Sequence, residues 1–474
     1  FEDHSELPTA LDLLLLYYQK RPDLFKQFCS VYAGRFEVNL DSPRFGYFTQ
    51  SAVVKNLCEA VNAAPEDRNL LTLFVHVADH FLKLDVSRAE GGRHNTVSFY
   101  TLTLSPDQPV LEYRKMLWSQ LYQIYQRGAV QDEIEQILYR YGMPCYNVDA
   151  GLDVVRAEFE DVLKFFDLFQ LENLFHCVIA AHIKQVAKRI DYSELDILTP
   201  FLNSEKYKIY SALAPDFSEY DSEEYEKGIQ RHQERVCKLV ERYTPRDIDG
   251  LIQVCLESCR TFDKEESELG TGLEYAFEAL RNQQQLYLYL AAAYMKADTP
   301  YKIYAGQILV RLFEIKPVLE VKEFITQYRY NQQNVWLWFF FAFMPEQQVS
   351  AHWAAELLQY LSTPDVEMET SPYRRVDSLR KYESVEPGII FKALRTVADH
   401  YEESPYVFNL YAYWVLDHRN QQEADELLRT FSNELPLLEE IYLKGILCST
   451  HEDFYGALLY AIISVDTSFL YRYI

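Results

Sequence analysis

Residues 404–436 read SPYVFNLYAYWVLDHRNQQEADELLRTFSNELP, and their spacing decides the fold. Phe408, Tyr411, Ala412 and Val415 recur three and four residues apart, the period that puts side chains on one helical face. After the polar break at Asn420, Ala424 and Leu428 start a second apolar face four apart, and Pro436 closes the segment. Thirty-three residues thus describe two helices and a stop. The pattern then restarts. Ile441, Gly445 and Cys448 fall on the next first helix, which begins at Leu438. Ala457 and Ala461 fall on the next second helix, and Ala457 lies 33 residues after Ala424. Upstream, Ala393 and Val397 lead to Pro405 as the second helix of a preceding unit. A pair of helices cannot bury its face alone. Small residues let helices approach, large ones fill the groove, and units stack.

Residues 387–470 resemble tetratricopeptide (TPR) repeats, with Ala412 in the small slot of the first helix. Lys444 stands where that pattern has leucine, and the last unit has no closing proline. The resemblance implies an all-α, α-solenoid array of helical hairpins. In that family the first helix of each unit lines the face that recognises a partner. Carried over, that face comprises Tyr406, Asn409, Tyr413, Asp417, Tyr442 and Ile446. The expected organisation is a helical region with a β insertion over 1–150, a helical array over 151–361, a linker or long loop over 362–386, and TPR-like repeats over 387–474. A start at Phe1 and an aromatic end, SVDTSFLYRYI, suggest an array continued beyond the chain, because solenoid ends need polar caps.

Composition supports helices. Of 474 residues only 15 are Gly, and 49% are apolar. Eight of the 18 prolines follow Ser or Thr, at 43, 106, 200, 245, 300, 364, 372 and 405. An N-cap followed by a first-turn proline accounts for that pairing more simply than phosphorylation does. In TPRDIDGLIQVCLESC (244–259), Thr244 is the expected cap, Pro245 the first helical residue and Asp247 the acid that reaches back. Ile248, Leu251, Ile252, Cys255 and Cys259 form the apolar stripe.

Two stretches depart from the amphipathic pattern. RAEGGRHNTVSFYTLTLSP (88–106) has a Gly91-Gly92 turn, then alternating Thr, Val, Phe and Tyr that predict a strand near 96–104. NVWLWFFFAFMPE (334–346) is apolar on every side. Its ten-residue apolar run falls short of the roughly 18 residues that span a bilayer. It is therefore a helix covered on all faces or one that offers a partner-facing stripe.

The formal net charge of −25 argues against nucleic acid and anionic lipid, which need clustered Lys and Arg. It allows a basic protein partner. Eight scattered cysteines without CxxC spacing fit a reducing, cytoplasmic setting. His76 and His80 stand at metal-ligand spacing, but Val77 occupies the place of a zinc-protease glutamate and no third ligand follows. Arg88, Arg93 and His94 around the glycine turn could hold an anion, yet no Walker, GxGxxG or GxSxG motif occurs. The expectation is a chain without catalytic residues, cofactor or metal.

VHVADHFLKLDVSRAEGGRHNTVSFYTLTL (75–104), together with the long irregular helical array, is similar to the C-terminal sensor region of bacterial antiviral STAND NTPases of the Avs group. That resemblance implies an ATPase and effector on another part of the protein. It also implies a phage terminase or portal as partner, and oligomerisation of the full-length protein on binding. The alternatives are a general TPR-like scaffold in a cytoplasmic assembly, and an enzyme using His76, His80 or the β insertion.

Overall fold

The structure, a computed structural model, describes residues 16, 20–21, 24, 43–91, 97–104, 106–144, 149–215, 225–262, 269–297, 305–332, 335–361, 377–398, 421–445 and 452–473. It is an all-α fold of helices packed in series. The chain divides into two compact units, 1–208 and 209–474, so residue 150 lies inside the first and residue 361 inside the second.

In the first unit the helices are α1 (Pro43–Ala63), α2 (Arg68–Phe81), α3 (Gln108–Gln126), α4 (Gln131–Arg140), α5 (Leu152–Leu163) and α6 (Leu174–Arg189). Each packs on its neighbour but one: α1 on α3, α3 on α5, α2 on α4, α4 on α6. Between α2 and α3, β1 (Asp85–Gly91) and β2 (Val97–Thr103) form an antiparallel pair in register from Asp85↔Thr103 to Gly91↔Val97. Trp118 and Tyr113 of α3 and Phe159 of α5 are at most 1% exposed and anchor the core.

That core encloses two polar networks. Arg114 of α3 donates to both carboxylate oxygens of Glu158 at 2.7 Å, and to the carbonyls of Phe81, Leu82 and Lys83 that end α2. In the other, Glu135 accepts from the Tyr125 hydroxyl at 2.7 Å and lies 2.9 Å from His176 Nε2. The backbone N–H of Gln170 donates to His176 Nδ1 at 2.8 Å, which leaves Nε2 as the protonated nitrogen that donates to Glu135.

Helix α7 covers Glu205–Leu213. The second unit then contains α8 (Tyr225–Val240), α9 (Pro245–Phe262), α10 (Gly270–Leu280), α11 (Gln284–Lys296), α12 (Ala305–Ile315), α13 (Val318–Tyr328), α14 (Val335–Phe343), α15 (Ala351–Leu361), α16 (Ile389–Ala398), α17 (Gln421–Thr430), α18 (Leu435–Gly445), α19 (Glu452–Val465) and α20 (Ser468–Tyr473). The alternate-neighbour packing returns: α8 on α10, α9 on α11, α11 on α13, α12 on α14, α17 on α19. Helices α11, α13 and α15 begin 34 and then 33 residues apart, at 284, 318 and 351.

The start of α9 follows the sequence expectation. The Thr244 amide and hydroxyl donate to Asp247 Oδ2 at 2.7 and 2.6 Å. Those bonds, the hydroxyl's first, hold the Asp247 carboxyl below its ordinary value. Ile248, Leu251, Ile252 and Cys255 are buried, and Cys259 is half-buried.

The aromatic stretch is core. Trp336, Trp338, Phe339, Phe340 and Phe341 of α14 are each at most 4% exposed. Trp336 packs edge-on against Tyr294 of α11, and Phe340 against Trp353 of α15. Burial of each such ring contributes roughly 1.5–3 kcal/mol, so the helix is a principal anchor of this unit. Of the expected linker, residues 377–384 form a 3₁₀ turn that packs on α14 and α16. Tyr382 donates to Phe341 O at 3.0 Å, and the Lys381 ammonium caps the carbonyls of Ala342 and Met344. This part is held in place because an apolar helix cannot leave its last carbonyls unpaired. Among the described residues, no helix is long and apolar enough to cross a membrane.

Candidate functional site

Two glycines position a groove in the second unit. A Cβ on Gly272 of α10 would stand 2.1 Å from Leu213 O, and one on Gly306 of α12 would stand 2.3 Å from the Phe343 ring. They lie 34 residues apart, one repeat, and let α7 and α14 close against the row of helices. Along that row α8, α10, α12 and α14 enclose a cavity of about 450 Å³.

Its floor is aromatic. Phe277 and Tyr287 pack edge-on at 5.7 Å, and burial pushes the Tyr287 hydroxyl well above its ordinary pKa. Tyr275 stands edge-on to His232 at 5.2 Å, and His232 is fixed by the Leu213 carbonyl at 2.9 Å. The rim is charged and ties α10 to α12. Gln307 donates to Glu274 at 2.5 Å, and Arg281 donates to Glu314 at 3.2 Å. Arg311 donates to Glu314 at 2.6 Å and to the Arg281 carbonyl at 3.0 Å. The bond from Arg311, and then the charge of Arg281, keep the Glu314 carboxyl below its ordinary value. Arg311 Nε is shielded from solvent and has no hydrogen-bond partner. Between these charges Val310 is 46% exposed. An apolar patch framed by ordered donors and acceptors suits a protein segment that carries both kinds of group.

Of the residues expected to face a partner, Tyr442 is among the described residues. Tyr442 is 2% exposed and packs edge-on against Phe469 of α20, so its ring fills the space between α18 and α20 and is not presented to a partner. Tyr406, Asn409, Tyr413, Asp417 and Ile446 lie outside the described residues. His76 and His80 sit on α2, where Lys83 Nζ lies 3.2 Å from His80 Nδ1. Among the described residues, no group of three or more His, Cys, Asp or Glu is placed to hold a metal ion. Arg93 and His94 are outside the described residues.

The groove at 270–314 escaped the sequence reading because no TPR-like phase was assigned before residue 387. The signal was there: Gly272 and Gly306 stand one repeat apart, as do the pairs Glu274–Gln307 and Arg281–Glu314, each separated by 33 residues. No protein-family model matches the chain, and searches of curated proteins and of solved structures return no match.

Proposed function

We propose that this chain is a protein-recognition module, and that the groove along α8, α10, α12 and α14 holds a segment of its partner. The observation that carries this reading is Val310, an exposed apolar side chain set among Glu274, Gln307, Arg281, Arg311 and Glu314, which are ordered by bonds between α10 and α12 and within α12. Preordered side chains cost little entropy on binding, which favours a specific surface. Glu274, Glu278 and Glu314 stand against Arg281 and Arg311, three carboxylates to two guanidiniums on a chain of net charge −25, which favours a partner segment with a basic residue beside an apolar one.

Identification of the partner as a phage packaging or structural protein, met in the cytoplasm, rests on the resemblance of residues 75–104 to STAND sensor regions. The test is a tagged pull-down from phage-infected and uninfected bacterial lysate, with Val310→Glu as the control. Enrichment of one phage protein by the native chain alone supports both the sensor reading and the groove. Host proteins lost on Val310→Glu keep the groove and replace the sensor with a scaffold. Equal capture by the two chains removes the groove from recognition.

A further inference from the structure

Residues 168–173, LFQLEN, join the 3₁₀ turn Lys164–Asp167 to α6 and are held by the first turn of that helix. Asn173 caps α6 by accepting the Phe175 amide at 2.8 Å. Cys177 Sγ donates to Leu171 O at 3.5 Å, and the Lys206 ammonium donates to Glu172 O. His176, 3% exposed, accepts the Gln170 amide on Nδ1 at 2.8 Å, and its ring stacks on Phe169 at 4.1 Å. Phe169 is buried, whereas Leu171 is 45% exposed.

The imidazole meets opposing demands. The Gln170 N–H needs an unprotonated Nδ1. A place in the first turn of α6 also opposes a positive charge, because the helix dipole is positive there. The Glu135 carboxylate, buried and 2.9 Å from Nε2, attracts a second proton to the ring. The groups that face the ring from the packed elements are Glu135 of α4, the Tyr125 hydroxyl of α3 at 3.3 Å and Asn173 Nδ2 at 3.4 Å, and of these Glu135 carries the charge. Burial, and then the bond to Glu135, push the Tyr125 hydroxyl well above its ordinary pKa, with a smaller effect from Asp132 one turn earlier on α4. Tyr125 therefore stays a donor to Glu135. A proton added to Nδ1 would meet the Gln170 N–H head-on. An acceptor is at hand in Gln170 O, 3.3 Å from the same nitrogen. That oxygen accepts the Asn173 amide at 3.1 Å and keeps a second lone pair.

We infer that His176 is a proton-operated latch on residues 168–173. With the ring neutral, Nδ1 holds the Gln170 amide. Uptake of one proton from solvent turns that acceptor into a donor. The bond from the Gln170 N–H is lost, Nδ1–H donates to Gln170 O, and Nε2–H remains paired with the Glu135 carboxylate. Residues 168–173 are released, and acid adds Phe169 to the apolar surface that Leu171 already presents. The latch lies within the first unit and does not depend on recognition at the groove of the second.

Hydrogen exchange of the whole chain, followed by mass spectrometry of overlapping fragments at pH 8, 6.5 and 5, tests the latch. Each rate is divided by that of an unstructured chain at the same pH, and the series covers the range in which histidines titrate. Protection of the Gln170 amide is expected to fall at least tenfold from pH 8 to pH 5, while α3 and α5 keep theirs within twofold. His176→Gln, which cannot take up the proton, should show no fall beyond twofold. Glu135→Gln, which removes the charge that holds the imidazolium, should keep the segment protected to lower pH, and it serves independently if His176→Gln does not fold. Equal protection at the three pH values, a fall of the same size in His176→Gln, unchanged behaviour in Glu135→Gln, or loss of protection throughout the first unit overturns the proposal.

Discussion

Arg114 and Glu158 face one another across α3 and α5 through two 2.7 Å hydrogen bonds, with side-chain exposures of 0% and 5%. The remaining Arg114 donors close the end of α2, so one guanidinium joins three helices. Loss of one member of a buried pair leaves the other charge uncompensated, at a cost of about 3–5 kcal/mol. Arg114→Met is expected to lower unfolding free energy by that amount in urea titration. Glu158→Gln leaves the guanidinium buried without its counter-charge and should cost a comparable amount, even though the α2 carbonyls stay bonded. A loss well below that range for either variant would show that the pair contributes little.

Gly272→Ala and Gly306→Ala should differ in severity. The first places a methyl against the Leu213 backbone, which belongs to helix α7 and cannot yield locally. The second meets the Phe343 ring, a half-buried side chain that can rotate. Overpacking costs typically about 1–3 kcal/mol. Gly272→Ala should fall at or above the top of that range and Gly306→Ala near the bottom, as read from melting temperatures.

Burial pushes the Lys381 ammonium down to about 8 from an ordinary 10.5, against a smaller opposing effect from Glu346. Between those values the unfolded chain keeps a proton that the folded chain releases. Stability from this group therefore rises with pH through that window, by roughly 3 kcal/mol when complete. Buried thiols act oppositely, because burial raises Cys58 and Cys255. The measurement is accordingly the difference between the native chain and Lys381→Met in urea at pH 7.5, 8.5 and 9.5. That difference should grow with pH; a constant difference would place the Lys381 titration elsewhere.

Val310→Glu is expected to leave stability within about 0.5 kcal/mol, because surface changes of this kind rarely do more. It should abolish capture of any partner held in the groove. A variant that melts early would make the capture result uninformative, so Val310→Ser, with smaller effect on charge, is measured beside it.

Much of the fold was legible. Helical periodicity placed the α9 stripe, and Thr244, Pro245 and Asp247 fixed its first turn, because these signals act within one turn of backbone. The aromatic run over 335–343 was legible only as two alternatives, since its all-round apolarity says that it is covered but not by what. Tyr294, Trp353 and the 377–384 turn cover it, and they come from distant parts of the sequence. Tyr442 failed as a surface residue for a related reason. Helical spacing gives a direction around the helix axis, but the helices that pack on α18, with Phe469 against Tyr442, determine which direction is inside. The 362–386 stretch reads as a linker or long loop, yet Lys381 and Tyr382 are fixed by carbonyls some forty residues earlier, a pairing that no local pattern announces.

Four side-chain bridges of the second unit recur at nearly constant separation: Glu274 to Gln307, Glu314 to Arg281 and Glu439 to Arg472 at 33 residues, Lys322 to Glu356 at 34, while Arg395 to Glu434, Asp425 to Ser464 and Asp249 to Tyr289 span 39 or 40. Each of these four connects a segment to its counterpart one repeat later. Free energy is then held as a series of nearest-neighbour couplings, and the unit can open in steps. Hydrogen exchange should accordingly protect amides in graded blocks, with α14 among the last to exchange. A partner that spans α10 to α14 would clamp several blocks together and convert stepwise opening into a single cooperative event.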